Sequence, residues 1–117
     1  MARLTTYADL KERIVFQKRV EADDGYGNTV AGWQDLFSVA AELIGELGRE
    51  SIEGGALVGI QRWTIRVRDF AQTEQVTPEW RAYNKREPSL IFNIRSNVAL
   101  VDVPGFRHMV AETGVAT

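Results

Sequence analysis

The sequence has no cysteine and a single histidine among its 117 residues. Without cysteine, the chain has neither a disulfide framework nor a cysteine-based zinc site, so its stability must come from packing and hydrogen bonds. One histidine, His108, cannot form a histidine pair around a metal, and we expect it to be structural. The sequence therefore predicts no metal and no cofactor.

Long apolar runs are also missing. No stretch approaches the roughly 18 apolar residues that cross a bilayer, and residues 1–10 lack the apolar core of a signal peptide. We expect a soluble, intracellularly made protein without a membrane partner. The 14 basic and 16 acidic residues give a net charge of -2, which argues against a protein that binds by neutralising many phosphates but leaves room for a local basic strip.

Alternating polar and apolar residues predict strands, and period-two patterns outnumber helical ones. The long apolar segment 33–47 suits one bent strand better than the alternative, a helix, because no helix cap is evident there. The predicted strands cover residues 13–20, 33–47, 61–70, 80–83, 90–95 and 106–110. At 117 residues, with 44% hydrophobic residues, we expect one all-β domain over 1–117: a small antiparallel barrel, or a sandwich, of five to seven strands with long loops.

The segments between these strands carry the turn signals. Asp-Gly and Gly-Asn within residues 23–28 predict a hairpin. Residues 48–59 hold four glycines, and within them we expect a mobile loop with one helical turn at 50–53, ended by Gly54-Gly55. A helical turn over 7–11 would plug one end of a barrel. Residues 70–79 and 96–105 are read as connectors.

The search for catalytic motifs returns negatives. The acidic hairpin lacks the alternating ligands and twelfth-position glutamate of a calcium-binding EF-hand loop, since Asp35 is the nearest acid. Gly25 and Gly27 make no dinucleotide fingerprint, because Val30 stands where the third glycine belongs. Ser51 lacks the flanking glycines of a nucleophile elbow. We therefore predict that the protein is not an enzyme.

Three arginines, Arg62, Arg66 and Arg68, share one face of the strand at 61–70. The simpler interpretation is a solvated face, paired with Glu42 or Glu46 on a neighbouring strand. The sharper one is contact with a partner's acidic surface or with nucleic acid. We favour the simpler interpretation by about two to one for each arginine alone.

The exposed aromatic expected from the sequence is Tyr26, on the glycine-rich hairpin tip, where it would serve as a binding anchor. The tryptophans Trp33, Trp63 and Trp80 are more typical of a core than of a binding platform. Trp63 shares its parity with the apolar residues of its strand.

Five segments in this order resemble the head-tail joining proteins of tailed phages. They are LKERIVFQKRV, DDGYGNTVAGW, FSVAAELIGELGRE, RWTIRVR and LIFNIR, and the likeness spans residues 10–95. The resemblance implies a small β-barrel that forms a ring beneath the portal and its adaptor, closes the DNA-filled head and offers a surface to the tail. Relatives occur in prophages and gene transfer agents. The turn at 84–88 is more charged, and the segment after 98 longer, than the resemblance leads us to expect.

The resemblance also implies the partners and the location. The partners would be further copies of the chain, the portal or adaptor protein, and a tail terminator or tail tube protein, with packaged DNA in the channel. The chain would be made in the host cytoplasm and reside in the neck of a virion or phage-like particle. Alternative functions are a tail terminator or a barrel that binds single-stranded nucleic acid.

We expect the loop 48–59 to block or line the channel and the hairpin tip to meet the adjacent subunit or the adaptor. The candidate interface or channel residues are Tyr26, Gly27, Gly48, Arg49, Glu50, Ser51, Ile52, Gly54, Gly55, Arg66 and Arg68.

Overall fold

The structure, a computed structural model, describes residues 7–23, 25–46, 51–53, 56–58 and 60–114. A single 3-10 turn, Tyr7–Asp9, comes before the first strand. The remaining elements are β1 (Glu12–Asp23), β2 (Thr29–Gly45), β3 (Ser51–Glu53), β4 (Ala56–Val58), β5 (Gln61–Arg68), α1 (Ala71–Glu74), β6 (Arg81–Asn84), β7 (Ile91–Ala99) and β8 (Phe106–Thr113).

Six of these strands close into one antiparallel barrel in the order β1-β2-β5-β8-β7-β6, and β3 and β4 form a separate two-stranded sheet. Closure pairs the edges that an open sheet would expose to aggregation. The predicted all-β barrel is confirmed, and the segment 33–47 lies mostly within the strand β2, not in a helix.

The barrel interior is filled by alternate side chains from every barrel strand. Trp63 and Trp80 pack against this core as predicted, and the Trp63 ring meets Phe92 edge-on at 5.4 Å between centroids. The buried core residues are Ile14, Phe16, Val39, Ala41, Ile65, Val67, Val76, Ala82, Phe92, Ile94, Met109 and Ala111.

A β-bulge interrupts the pairing of β1 with β2. Phe16 pairs with Phe37 and the next residue, Gln17, pairs with Asp35, so Leu36 is the extra residue. A bulge bends its strand and increases the local twist. Beyond it the two strands leave the barrel, because β6 pairs with β1 only as far as Gln17.

We call the projecting pair of strands, residues 18–34, the ribbon. Among the described residues, its two halves, 18–23 and 29–34, pair with each other and with no third strand, since β2 pairs with β5 at Glu42–Gly45. Six residues of strand extend about 20 Å. The ribbon is therefore a long arm anchored at the bulge.

The predicted helical turn at 50–53 is wrong. Ser51–Glu53 forms strand β3, with Ile52 opposite Leu57 of β4. A Gly-Gly pair between two short β-prone runs is a hairpin signal as much as a helix end, and the hairpin interpretation is the correct one. Gly48, Arg49, Glu50, Gly54 and Gly55 lie outside the described residues.

Two connectors also differ from the prediction. Residues 96–99 are not loose but continue β7, where a second register shift lets Ser96 pair with Val110. The polar connector 70–79 contains the four-residue helix α1. The 3-10 turn forms near the predicted place, but it does not plug the barrel with these two residues, since Ala8 is exposed and Asp9 is half-buried. Val76, just after α1, enters the core instead.

Residues 69–80 close one end of the barrel through a set of buried hydrogen bonds. The Thr73 hydroxyl donates to the Arg68 carbonyl at 2.7 Å and accepts from the Phe70 N–H at 3.0 Å. Asn97 Nδ2 donates to the carbonyls of Thr73 and Val76, each at 2.9 Å. Because Thr73 is fully buried, its hydroxyl ties this segment to β5 at a place that water does not reach.

Replacing Thr73 with valine keeps the volume but leaves the Phe70 N–H without its acceptor. We expect Thr73→Val to lower the free energy of unfolding by about 1–3 kcal/mol. Thr77→Val is the matched control, because Thr77 is exposed, and should change it by less than about 0.5 kcal/mol. Urea denaturation of both variants measures the difference, and equal effects would contradict the role of Thr73.

Candidate functional site

The ribbon tip presents Tyr26, whose exposed fraction is 89%. Gly25 and Gly27 flank it with φ of 85° and 83°, a left-handed conformation that favours glycine. Asp23 Oδ1 accepts a hydrogen bond from the Gly25 N–H at 2.9 Å, the geometry of an Asx turn. The turn interpretation of these acidic and glycine residues is confirmed, and the turn holds Tyr26 away from the barrel.

One face of the ribbon is apolar. Val20 lies opposite Gly32, and Ala22 lies opposite Val30, so these four residues share a face. Val30 is 51% exposed and Ala22 is exposed as well. This face continues the inner side of the sheet past the end of the barrel, where no described element of the chain packs beneath it.

The opposite face of the ribbon carries Trp33 between two arginines. The Arg81 guanidinium lies 4.2 Å and that of Arg19 lies 5.4 Å from the indole centroid, both within cation-π range. The prediction that Trp33 packs in the core is wrong. Its parity with Phe37 would have turned it inward, but the bulge at Leu36 reverses the alternation.

A chain of hydrogen bonds fixes the root of the ribbon to β6. Tyr83 Oη donates to Asp35 Oδ2 at 2.9 Å, and Gln17 Nε2 donates to Asp35 Oδ1 at 2.7 Å. Arg81 Nε donates to Gln17 Oε1 at 2.7 Å. The hydrogen bond to Asp35 raises the pKa of Tyr83, while burial, followed by the charge of Arg19, lowers the pKa of Arg81. These contacts set the direction in which the ribbon leaves the barrel.

Removing the charge of Asp35 should release the phenol of Tyr83. We expect Asp35→Asn to bring the Tyr83 pKa down towards the ordinary value of 10.0, because a neutral amide no longer disfavours the phenolate. An ultraviolet pH titration of tyrosine ionisation measures it, with Tyr83→Phe to assign the signal. Glu21→Gln, an exposed change on the same ribbon, is the matched control, and an unaltered titration in Asp35→Asn would refute the assignment.

The three arginines of β5 lie on the outside of the barrel. Arg66 Nη1 is 3.5 Å from Glu42 Oε1 on β2, so the predicted pairing with Glu42 is confirmed. Arg62 Nη2 is 3.9 Å from Glu112 Oε2 on β8, and the same carboxylate accepts from Arg95 Nε at 2.7 Å. The pairs of Glu112 with Arg62 and Arg95 are exposed and add little stability, whereas the Arg66–Glu42 pair is mostly buried.

Sequence reasoning missed the apolar residues on this outer face. Ile44, Thr64, Val110 and Ser96 lie in one row across β2, β5, β8 and β7. In the next row Val98 lies beside His108, and it is 58% exposed. Alternation from Phe92 and Ile94 would have turned Val98 inward, but the register shift between Ile94 and Ser96 places it on the outer face.

His108 lies opposite Arg66 of β5 and Val98 of β7, with Glu42 beyond Arg66 in the same row. Burial, followed by the charge of Arg66, lowers the pKa of His108 below its ordinary 6.5. The unfolded chain therefore binds a proton more readily than the folded chain at mildly acidic pH. The stabilising contribution of the neutral imidazole is complete above about pH 6.5 and is lost as the pH falls through the lower, folded-state pKa.

We expect the free energy of unfolding to fall when the pH is lowered from about 7.5 to about 5, and to fall less in His108→Gln. Since His108 is the single histidine, any slope that the variant retains comes from other groups. Denaturant unfolding at several pH values measures both slopes. Identical slopes would show that His108 does not contribute.

The candidate residues do not form one cluster. Tyr26 and Gly27 lie at the ribbon tip, Ser51 and Ile52 lie in β3, and Arg66 and Arg68 lie on the outer face of β5. Within the ranges that the structure covers, no three acidic or histidine residues are grouped as metal ligands. No helix among those residues is long and apolar enough to cross a membrane.

The fold is that of a small all-β barrel with a projecting two-stranded ribbon. The model of the phage head completion protein family matches residues 6–114. The chain therefore belongs to the phage head completion protein family.

Two solved structures are similar along nearly the whole chain. A chain in the virion of a native gene transfer agent particle is 25% identical, with a TM-score of 0.61, and the match covers 100% of both chains. Protein SF1141 of Shigella flexneri 2a is 13% identical, with a TM-score of 0.64 over 97% of this chain and 100% of that one. The second likeness shows the fold alone. No curated protein sequence matches this chain.

Proposed function

We propose that the protein is a head-tail connector, several copies of which form a ring that closes the DNA-filled head and receives the tail. Family membership and the virion neighbour support a structural role in the head-tail region of a phage-like particle. We further propose that the copies form a ring, that the ring contacts other proteins of the neck, and that the residues discussed below make these contacts.

The ribbon is the observation that carries this function. A two-stranded hairpin is marginally stable in water unless something covers one of its faces. This ribbon extends beyond the barrel with an apolar face and an exposed Tyr26 at its tip. We expect another molecule to cover this apolar face, as happens between the subunits of an assembly.

Ring formation makes weak contacts sufficient. Closing a ring turns each later contact into an intramolecular one, so the effective concentration of the contacting surfaces rises. A chain of 117 residues can then be monomeric in dilute solution and firmly held on a particle. The hairpin β3-β4, which stands apart from the barrel sheet, is the element that we assign to the channel.

Particles made without this gene test the function directly. We expect emptied or leaking heads beside free, finished tails, because nothing would close the portal after packaging. Electron microscopy with a parallel assay of genome retention measures both. Full heads carrying normal tails would overturn the proposal, and full heads beside tails of irregular length would favour a tail terminator instead.

Deleting residues 50–58 tests the channel assignment separately. The barrel strands pair without β3 and β4, so we expect the shortened chain to fold with a melting temperature close to the parent's. Particles that contain the shortened chain in place of the parent chain should fail to retain DNA. Normal retention would remove this hairpin from the mechanism while leaving the barrel in the ring.

The nucleic-acid alternative finds less support. Arg66, one of the arginines that would contact nucleic acid, is paired with Glu42, and its side chain is 27% exposed. The net charge of -2 adds no general attraction for phosphates. Tight binding of single-stranded DNA that weakens steeply with salt would revive it.

A further inference from the structure

We propose that the ribbon of one subunit docks on the outer face of β5, β8 and β7 of the next copy of this chain. This inference rests on the proposed ring and names its subunit contact. The acceptor face consists of Thr64 of β5 and Val110 of β8 in one row, with Val98 of β7 in the next.

The two surfaces match in the arrangement of their apolar residues. The ribbon offers Val20, Ala22 and Val30, a narrow apolar strip with exposed members. The acceptor offers Val110, which is half-buried, with Val98, which is 58% exposed. Apolar centres that exclude water, surrounded by charged rims, are the usual anatomy of a protein interface.

The rims carry opposite charges. Residues 20–32 of the ribbon contain the acids Glu21, Asp23 and Asp24 and no basic residue. The acceptor row lies between arginines, with Arg62 and Arg95 on one side and Arg66 and Arg68 on the other.

Two of the basic groups share one acid. Glu112 is paired with both Arg62 and Arg95, whose side chains are 58% and 44% exposed. One carboxylate cannot neutralise two guanidiniums, so positive charge remains at that rim. Glu21 and Asp23 lie on the face opposite the apolar strip, but their field acts across the thin ribbon within a Debye length of about 8 Å. Complementary charges of this kind select the partner and its register.

The position of the two surfaces in the barrel suits a ring. The ribbon grows from β1 and β2, and in the closed order β1-β2-β5-β8-β7-β6 the strand β8 lies three steps from β1 in either direction. Donor and acceptor therefore lie on opposite sides of the subunit. A contact between different patches on opposite sides is heterologous, the type that repeats from subunit to subunit and closes into a ring.

A pair of introduced cysteines tests the contact in assembled particles. The chain contains no cysteine of its own, so any disulfide between copies of a Val30→Cys, Val110→Cys chain joins introduced cysteines, and peptide mapping identifies the 30–110 link. After mild oxidation we expect a ladder of linked copies on a non-reducing gel. Val30→Cys with Glu79→Cys, an exposed position next to β6, is the matched control and should give no ladder.

The outcomes separate this inference from the function on which it rests. Particles that retain DNA but give no Val30–Val110 ladder would refute the contact and leave the connector role intact. A ladder of equal strength with the Glu79 pair would refute it too, since the ribbon would then dock without preference. If particles without the gene are normal, the connector role itself fails.

A charge exchange gives a second, independent measurement. Glu21→Arg, at an exposed position of the ribbon, should impair genome retention by placing like charges together. Adding Arg62→Glu and Arg95→Glu in the same chain should restore it, because the attraction is rebuilt with its signs reversed. Retention that is lost in both charge-changed chains, with both folded by circular dichroism, would count against this pairing of surfaces.

Discussion

The register shift between Phe16 and Gln17 is the constraint on which the rest of the structure depends. Before it, β1 and β2 supply Ile14, Phe16 and Val39 to the barrel interior. After it, the alternation of β2 is reversed while that of β1 continues, and the two strands carry polar side chains outward at the root. A bulge bends and twists its strand, so one extra residue, Leu36, both ends the core and starts the ribbon.

Polar contacts at both places where the chain leaves the barrel keep these changes of direction fixed. Asp35, Gln17 and Arg81 hold the root of the ribbon, while Thr73 and Asn97 hold the segment that closes one barrel end. Each set contains one buried side chain, Gln17 in the first and Thr73 in the second, and hydrogen bonds of buried groups are stronger and cost more when a partner is missing. The barrel is thereby a rigid frame that presents its arm and its outer arginines in fixed relative positions.

Sequence patterns predicted the barrel strands because alternation is a local property. The alternation predicted buried faces at Ile14, Ile65 and Val67, and each of these residues is fully buried. The same rule failed at Trp33, because a bulge cannot be read from alternation alone. It also failed at residues 51–53, where Gly-Gly suits both a helix end and a hairpin. The pairing of Arg62 with Glu112, 50 residues apart in the chain, depends on which strands become neighbours, and no local pattern contains that information.

The seam between β1 and β6 has a consequence for the order of folding. It joins Ile14 to Asn84, so the barrel cannot close until most of the chain has been made, and pairings between such distant residues form slowly. The hairpin of β1 and β2 is joined by a short turn, and hairpins form within microseconds. The strands of the ribbon therefore pair while the barrel is still an open sheet. In a newly made subunit, the ribbon forms before the barrel closes.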